Sequence, residues 1–475
     1  IFFSNVNVEA GGTLTIGPAG DMINTNGLNL IGKVVSVATT TKVLTTAEQN
    51  SIATFFAERG ASSVVVNDET VYDVNSVEAD LVLDFNGSSF YRNVPHYFKL
   101  GGTYSTFADA FTGTSPKLTY STTSNSTMVN SSGNIVWAPH NLALNSAAPA
   151  TQTITVTSGA DYTVEVTGTG SMALTGAGTG TATDGSPVEI TASTTSLTIT
   201  LTGSLDTVAV YRSDLGGMHP VPGAVGDFQY YVPTNGNAEY LPRVGHHVYN
   251  GSTWVNEGLL IESEPRTNLV TYSNSNWVAI NAGTADENNA TGPDGETSAT
   301  LYTPPAATGI RGIATTAYTS ATGTLSVYIK SNGIDTVSLW HNNGAIGTVA
   351  FNLLTGETSV ANGLDGYGME DVGNGWWRCF IYSSTYATQT VRIYGGVGSA
   401  VAYNGTDGFY VYGAQHETAP TPSSYMPTNG GTYTRTAQSL TVPPAEFGWP
   451  EPEYIGPELV TNGGFDTGDV TGWGG

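Results

Sequence analysis

Between Thr324 and Gly413 the chain holds a series of runs that alternate apolar and polar residues. They are "TLSVYIK" (Thr324–Lys330), "TVSLWH" (Thr336–His341), "GTVAFNL" (Gly347–Leu353), "WWRCFIY" (Trp376–Tyr382), "TVRIYG" (Thr390–Gly395) and "GFYVYG" (Gly408–Gly413). Successive side chains of a strand point to opposite faces. If Val337 and Leu339 face a core, Ser338 and Trp340 face away from it. Trp377, Cys379 and Ile381 share one face; Trp376, Arg378, Phe380 and Tyr382 share the other. Val391 and Ile393 point in, Arg392 and Tyr394 out; Phe409 and Val411 point in, Tyr410 and Tyr412 out. Flat aromatic faces cover the C–H side of a ring such as a pyranose, and planar polar groups bond its hydroxyls. Trp340, Trp376, Arg378, Tyr382 and Tyr410 therefore form a candidate recognition platform. The same residue types also pack beneath loops, against a neighbouring module or against sister chains of an oligomer, because interfaces enrich Trp, Tyr and Arg.

Chemistry that breaks bonds has little support. The sequence carries no Gly-x-Ser-x-Gly elbow, no His-Glu-x-x-His and no phosphate loop. The paired carboxylates of a glycosidase have no fixed spacing, but tandem small sandwiches leave no large central domain to carry them. The expectation is a protein that is not an enzyme. His246 and His247 are adjacent and would point opposite ways on a strand, which speaks against a shared metal. Asp286 and Glu287, or Asp466 and Asp469, could give a structural calcium ion hard oxygen ligands, though no EF-hand spacing is present. Cys379, the single cysteine, reads as a small buried apolar residue. Arg266, Asn268 and Arg435 recur at segment borders. A guanidinium fork there can hold a border strand through carbonyls or a carboxylate.

Composition narrows the class. The length of 475 residues implies several domains. Only 11% of residues are charged, against a typical level of about 25%, and aromatics reach 10%. Disorder normally combines few aromatics with many charges, so this chain is globular. Its abundant Gly and Thr indicate an all-β protein with many turns. The net charge of −25 repels nucleic-acid backbones, so nucleic-acid binding is excluded. No stretch approaches the ~20 apolar residues of a membrane span, and membrane insertion is not expected.

The elements that position these residues are mostly strands. One helix is expected over residues 45–60, from the capping box Thr45-Thr-Ala-Glu48 to Gly60, with Ile52, Phe55 and Phe56 as its apolar stripe. "TITVT" (Thr153–Thr157), "YTVEV" (Tyr162–Val166) and "LTITLT" (Leu197–Thr202) alternate as antiparallel strands solvated on one face. Tyr231-Val-Pro-Thr-Asn-Gly236 closes this block, and Tyr425-Met-Pro-Thr-Asn-Gly430 closes the later one. Asn141-Leu142 opens the first and Asn268-Leu269 the second. Glu458–Trp473 echoes Asn268–Trp277, so a further module is expected to begin there. The resulting division is an N-terminal β region with one helix (1–83) and a first β-sandwich module with a threading segment (84–240). A connecting hairpin and border (241–265), a second jelly-roll module (266–440), a Pro-rich linker (441–457) and the start of a further module (458–475) follow.

Several linked segments resemble tail-fibre and receptor-binding proteins of tailed phages. "STMVNSSGNIVWAPHNL" (Ser126–Leu142) and "YLPRVGHHVYNGSTWVNEGLLIESEPRTNL" (Tyr240–Leu269) resemble their threading segments. "GNGWWRCFIYSS" (Gly373–Ser384) and "YVYGAQHETAPTPSSYMPTNGGTYTR" (Tyr410–Arg435) resemble the last strands of a jelly-roll module similar to carbohydrate-binding modules. The resemblance covers residues 84–475 and not 1–83. It implies tandem antiparallel β-sandwich, jelly-roll domains in a virion tail component that is extracellular and homotrimeric. Its partners would be other phage tail proteins and the surface polysaccharide of a bacterial host. The outward residues Trp340, Trp376, Arg378, Tyr382 and Tyr410 would be its glycan platform. The first module, short and poor in aromatics, would be a spacer. Rival expectations are a tailspike-type or secreted glycan-degrading enzyme with its catalytic domain outside this chain, and a purely architectural tail protein.

Overall fold

The computed structural model describes residues 119–222, 229–340, 348–360, 363–397 and 401–442, with short strands between residues 13 and 84 and a helical turn at Asp109–Thr112. The helix expected at 45–60, and the segments 443–457 and 458–475, lie outside the described residues. The described part is all-β, and its ladders are antiparallel except for Thr13–Ile16 beside Gly27–Leu30.

Two bodies of sheet carry separate cores. In the first, a four-stranded sheet orders Gln152–Thr155, Ser196–Thr202, Ser171–Gly176 and Gly180–Thr183. A three-stranded sheet orders Val188–Thr191, Asp161–Gly168 and Leu205–Arg212. Ile154, Val156, Val164, Val166, Leu197, Ile199 and Val208 from both sheets form one buried cluster. The threonines between them stay outside, where Thr153 meets Thr198 at 3.0 Å and Thr167 meets Thr207 at 2.6 Å. β-Branched residues fit both roles because they pack well on a pleated, half-buried surface.

The second body has two six-stranded sheets. One orders Val278–Ile280, Gly312–Ala314, Arg392–Gly395, Thr336–Trp340, Thr348–Asn352 and Thr358–Val360. The other orders Thr284–Thr291, Thr297–Thr303, Gly408–Glu417, Ala321–Asn332, Trp376–Thr388 and Gly366–Asp371. Val337, Leu339 and Ile393 of the first sheet share a core with Leu325, Val327, Ile329, Cys379, Ile381, Phe409 and Val411 of the second. Full burial of each large apolar side chain contributes about 1.5–3 kcal/mol. Alternation thus assigns the inner residues of these strands correctly. It fails past Tyr412, where the register shifts against Ala321–Asn332. Gly413 takes φ 63° there, and a Cβ would approach the Tyr328 and Tyr425 rings at 3.1 Å. The extra residue resets the faces, so Ala414 rather than Gly413 joins the core.

The two bodies are closed by the same device. Asn141 Nδ2 donates to the carbonyls of Val208 (3.0 Å) and Val232 (2.8 Å), and its Oδ1 accepts from Ala143 N (3.0 Å) and Val210 N (2.9 Å). Asn268 Nδ2 donates to Ala414 O (3.2 Å) and Met426 O (2.8 Å), and its Oδ1 accepts from Val270 N (3.1 Å) and His416 N (3.1 Å). The Tyr-x-Pro-Thr-Asn-Gly repeats complete each clamp. Tyr231 Oη meets Ser146 Oγ at 3.0 Å and Tyr425 Oη meets Ser273 Oγ at 2.7 Å. Thr234 N donates to Ser146 Oγ and Thr428 N to Ser273 Oγ.

Residues grouped with the first module in sequence cross to the second body in space. The hairpin Thr127–Val129 with Ile135–Trp137 packs Ile135 and Val129 against Tyr328, Trp376 and Tyr412 on the outer face of the second sheet. Thr127 Oγ1 donates to Tyr425 O at 2.6 Å, and Ile135 N to Pro293 O at 2.9 Å. Ser439–Val442, expected to open into the linker at 441, pairs with Thr119–Ser121 and Thr13–Ile16.

Candidate functional site: an aromatic cleft against the second body

Strands Ala321–Asn332, Gly408–Glu417, Trp376–Thr388 and Gly366–Asp371 turn Tyr328, Tyr412, Trp376, Arg378 and Glu370 away from the core. The covering segments leave a cleft of about 320 Å³ over this face. Its walls come from the 127–137 hairpin, the hairpin His247–Tyr249 with Trp254–Asn256, and the segment 422–425. The volume sits at the lower end of the range for small-ligand sites, about 300–1,000 Å³.

Local chemistry explains the second hairpin. Asn250 Oδ1 accepts from Ser252 N and Thr253 N, which folds the Asn-Gly turn and sets Tyr249 opposite Trp254. Their rings sit 5.1 Å apart at 51°. The Trp254 ring then lies across two bare backbones: a Cβ on Gly133 would fall 2.2 Å from it, and one on Gly373 2.5 Å. Glycine at both positions is what lets the indole reach the cleft. His246 Nδ1 accepts from Val129 N at 3.1 Å, and His247 Nδ1 donates to Gly245 O at 2.7 Å. Burial lowers the His247 pKa, against that hydrogen bond, and favours the neutral ring.

The residues expected to form one platform are divided. Trp340 belongs to the other sheet, half-buried, its ring 4.4 Å from Tyr394 and its Nε1 donating to Ser338 Oγ at 3.1 Å. Trp376 is only 3% exposed, in a cluster with Ile135, Ala299, Tyr328, Tyr412 and Tyr425. It faces away from the core as alternation requires, but the threading hairpin covers it. Tyr382 and Tyr410 are half-buried on the same face. Tyr382 stands four residues beyond Arg378, about 14 Å along the strand. Of the expected set, Arg378 alone lines the cleft. Sequence reasoning missed Trp254, Tyr249, Tyr328 and Tyr425. The signal for the first two was an Asn-Gly turn flanked by aromatics, which makes a cross-strand pair.

In the cleft wall Glu262 anchors the border. Arg243 Nη1 lies 2.8 Å and Arg435 Nε 3.1 Å from Glu262 Oε2. Ser424 donates to the same carboxylate through N (2.8 Å) and Oγ (2.6 Å). Burial alone would raise the Glu262 pKa; the two guanidiniums and the Ser424 bonds override it and hold the carboxyl at about 2. Such a group is a fixed anion and has no proton to give at neutral pH. Arg435 also forks onto the carbonyls of Glu262 (3.0 Å) and Glu264 (3.1 Å). Arg266 stands opposite Arg435 in register and pairs with Glu264 at 2.8 Å.

The remaining candidates are occupied locally or lie elsewhere. Asp286 accepts from Asn289 Nδ2 at 2.6 Å, and Glu287 from Trp277 N at 3.2 Å. Asp466 and Asp469 lie outside the described residues. Among the described residues no group of three or more His, Cys, Asp or Glu converges as a metal site. Cys379 is fully buried, and burial pushes its thiol pKa up. The cleft presents the rings of Tyr249, Trp254, Tyr328 and Tyr425 beside one guanidinium, Arg378, and the carboxylates of Glu262, Glu370 and Asp371.

No family model matches the chain, and no curated protein matches it.

Proposed function

We propose that the chain is a structural and receptor-recognising component of a phage tail fibre, built of tandem jelly-roll sandwich modules and binding surface polysaccharide of a bacterial host. The observation that carries this reading is the cleft, where Trp254, Tyr249, Tyr328 and Tyr425 line one space with Arg378. Aromatic faces with a few placed polar groups are what a pyranose requires. The repeated Asn141 and Asn268 clamps support the tandem-module part of this reading. Homotrimeric assembly with other tail proteins would multiply weak sugar contacts through avidity.

A glycan array and a host-cell binding assay test the proposal. Binding that disappears in Trp254→Ala, with an unchanged melting curve, supports it. A silent array together with no adhesion to any cell surface overturns it. An architectural role is the second reading, favoured by the hairpin that covers Trp376, bonds Tyr425 O through Thr127 and bonds Asp214 and Gly217 through Trp137. Tight assembly on tail proteins with glycan-array silence would establish that one.

A further inference from the structure

Arg378 is a buried cation in an uncommon setting. It is 8% exposed, with its guanidinium carbon 5.2 Å from the centroid of the Tyr328 ring. One Nη donates to Ser326 Oγ at 3.2 Å, and Nε has no hydrogen-bond partner. The other buried arginines among the described residues, Arg212, Arg243 and Arg435, each sit within 4 Å of a carboxylate, whereas Arg378 makes no such pair.

The carboxylates around it explain why. Glu370, Asp371 and Glu262 line the same cleft; Glu370 is the cross-strand neighbour of Arg378 but is exposed to solvent. Asp371 Oδ1 accepts from Gly373 N at 2.9 Å. Glu262 is committed to Arg243, Arg435 and Ser424. Among the described residues no carboxylate pairs with this fork. A buried guanidinium without an anion is unfavourable, and a ring face offsets only part of that. Its planar donors match a carboxylate bidentately.

We infer that the cleft takes a carboxylate-bearing saccharide, a uronic acid residue within a polysaccharide, with the carboxylate on Arg378 and the sugar ring against the aromatic walls. This rests on the reading of the cleft as a glycan site.

The test uses the full chain on an array of bacterial polysaccharides in which each uronate is also present as its neutral methyl ester. The expected result is binding confined to the carboxylate forms, at least ten-fold stronger than to the esters. Arg378→Gln should remove that preference, and Arg378→Lys should keep part of it. Equal binding of acid and ester forms would overturn the charge assignment and leave the glycan reading standing. Binding to no member would overturn both. Should Arg378→Gln melt far below the parent, the acid-against-ester comparison on the unaltered chain decides alone.

Discussion

Asn141 and Asn268 occupy the same position in two different cores: each side-chain amide donates to two backbone carbonyls and accepts from two backbone N–H groups. Both are fully buried. Replacing Asn268 with Ala strands all four backbone groups, and each buried orphan costs about 1–3 kcal/mol. Partial relaxation should leave a loss of about 3–4 kcal/mol in chemical denaturation. Asn141→Ala should lower the transition of the first body and leave the second in place, and Asn268→Ala the reverse. A loss below about 1 kcal/mol for both would mean that water replaces the amide.

Glu262 sets an acid limit on stability. Its pKa is about 2 in the folded chain against an ordinary 4.5, because two guanidiniums outweigh the cost of burial. A depressed carboxylate contributes stability that is fully present above the unfolded value and lost as pH falls through the folded value. Between pH 4.5 and 2 the chain should therefore lose about 3 kcal/mol from this group. Glu262→Gln should cost about 3–5 kcal/mol at neutral pH, since Arg243 and Arg435 lose their anion. The gap between variant and parent should narrow towards pH 2. A gap independent of pH would show that Glu262 acts by packing alone.

Trp254 and Trp340 should behave differently although both are half-buried indoles. Trp254 lines the cleft, and Trp340 sits on the other sheet against Tyr394. Trp254→Ala should weaken saccharide binding about ten-fold or more, the 1.4 kcal/mol scale of a lost aromatic contact. Trp340→Ala should leave the affinity unchanged. Titration calorimetry on both variants decides this, and the opposite ranking would move the site to the other sheet.

Cys379 should be inert in the native state. It is fully buried, and burial raises its thiol pKa, so thiolate is scarce and shielded. Labelling by a thiol reagent should proceed at the rate of unfolding and become fast in denaturant. Rapid labelling of the native chain would place the Val327 to Cys379 pairing in a locally opening region.

Period-two alternation depends on local backbone geometry, so the sequence by itself determined which side chains leave the core. Val337, Leu339, Cys379, Ile381, Phe409 and Val411 could be assigned inward without a structure, and Trp340, Trp376, Arg378 and Tyr410 outward. The Tyr-x-Pro-Thr-Asn-Gly repeats likewise marked the two borders at which Ser146 and Ser273 are clamped. What meets an outward face is a matter of long-range contact, which no local period encodes. Only the tertiary structure decided that Ile135, far away in sequence, packs in the cluster that buries Trp376. Only it brought the Tyr249 and Trp254 hairpin over Arg378, because the glycines that admit the indole, Gly133 and Gly373, come from separate segments of the chain. The register shift at Gly413 was equally invisible, since one extra residue in a strand reverses the faces without changing the composition around it.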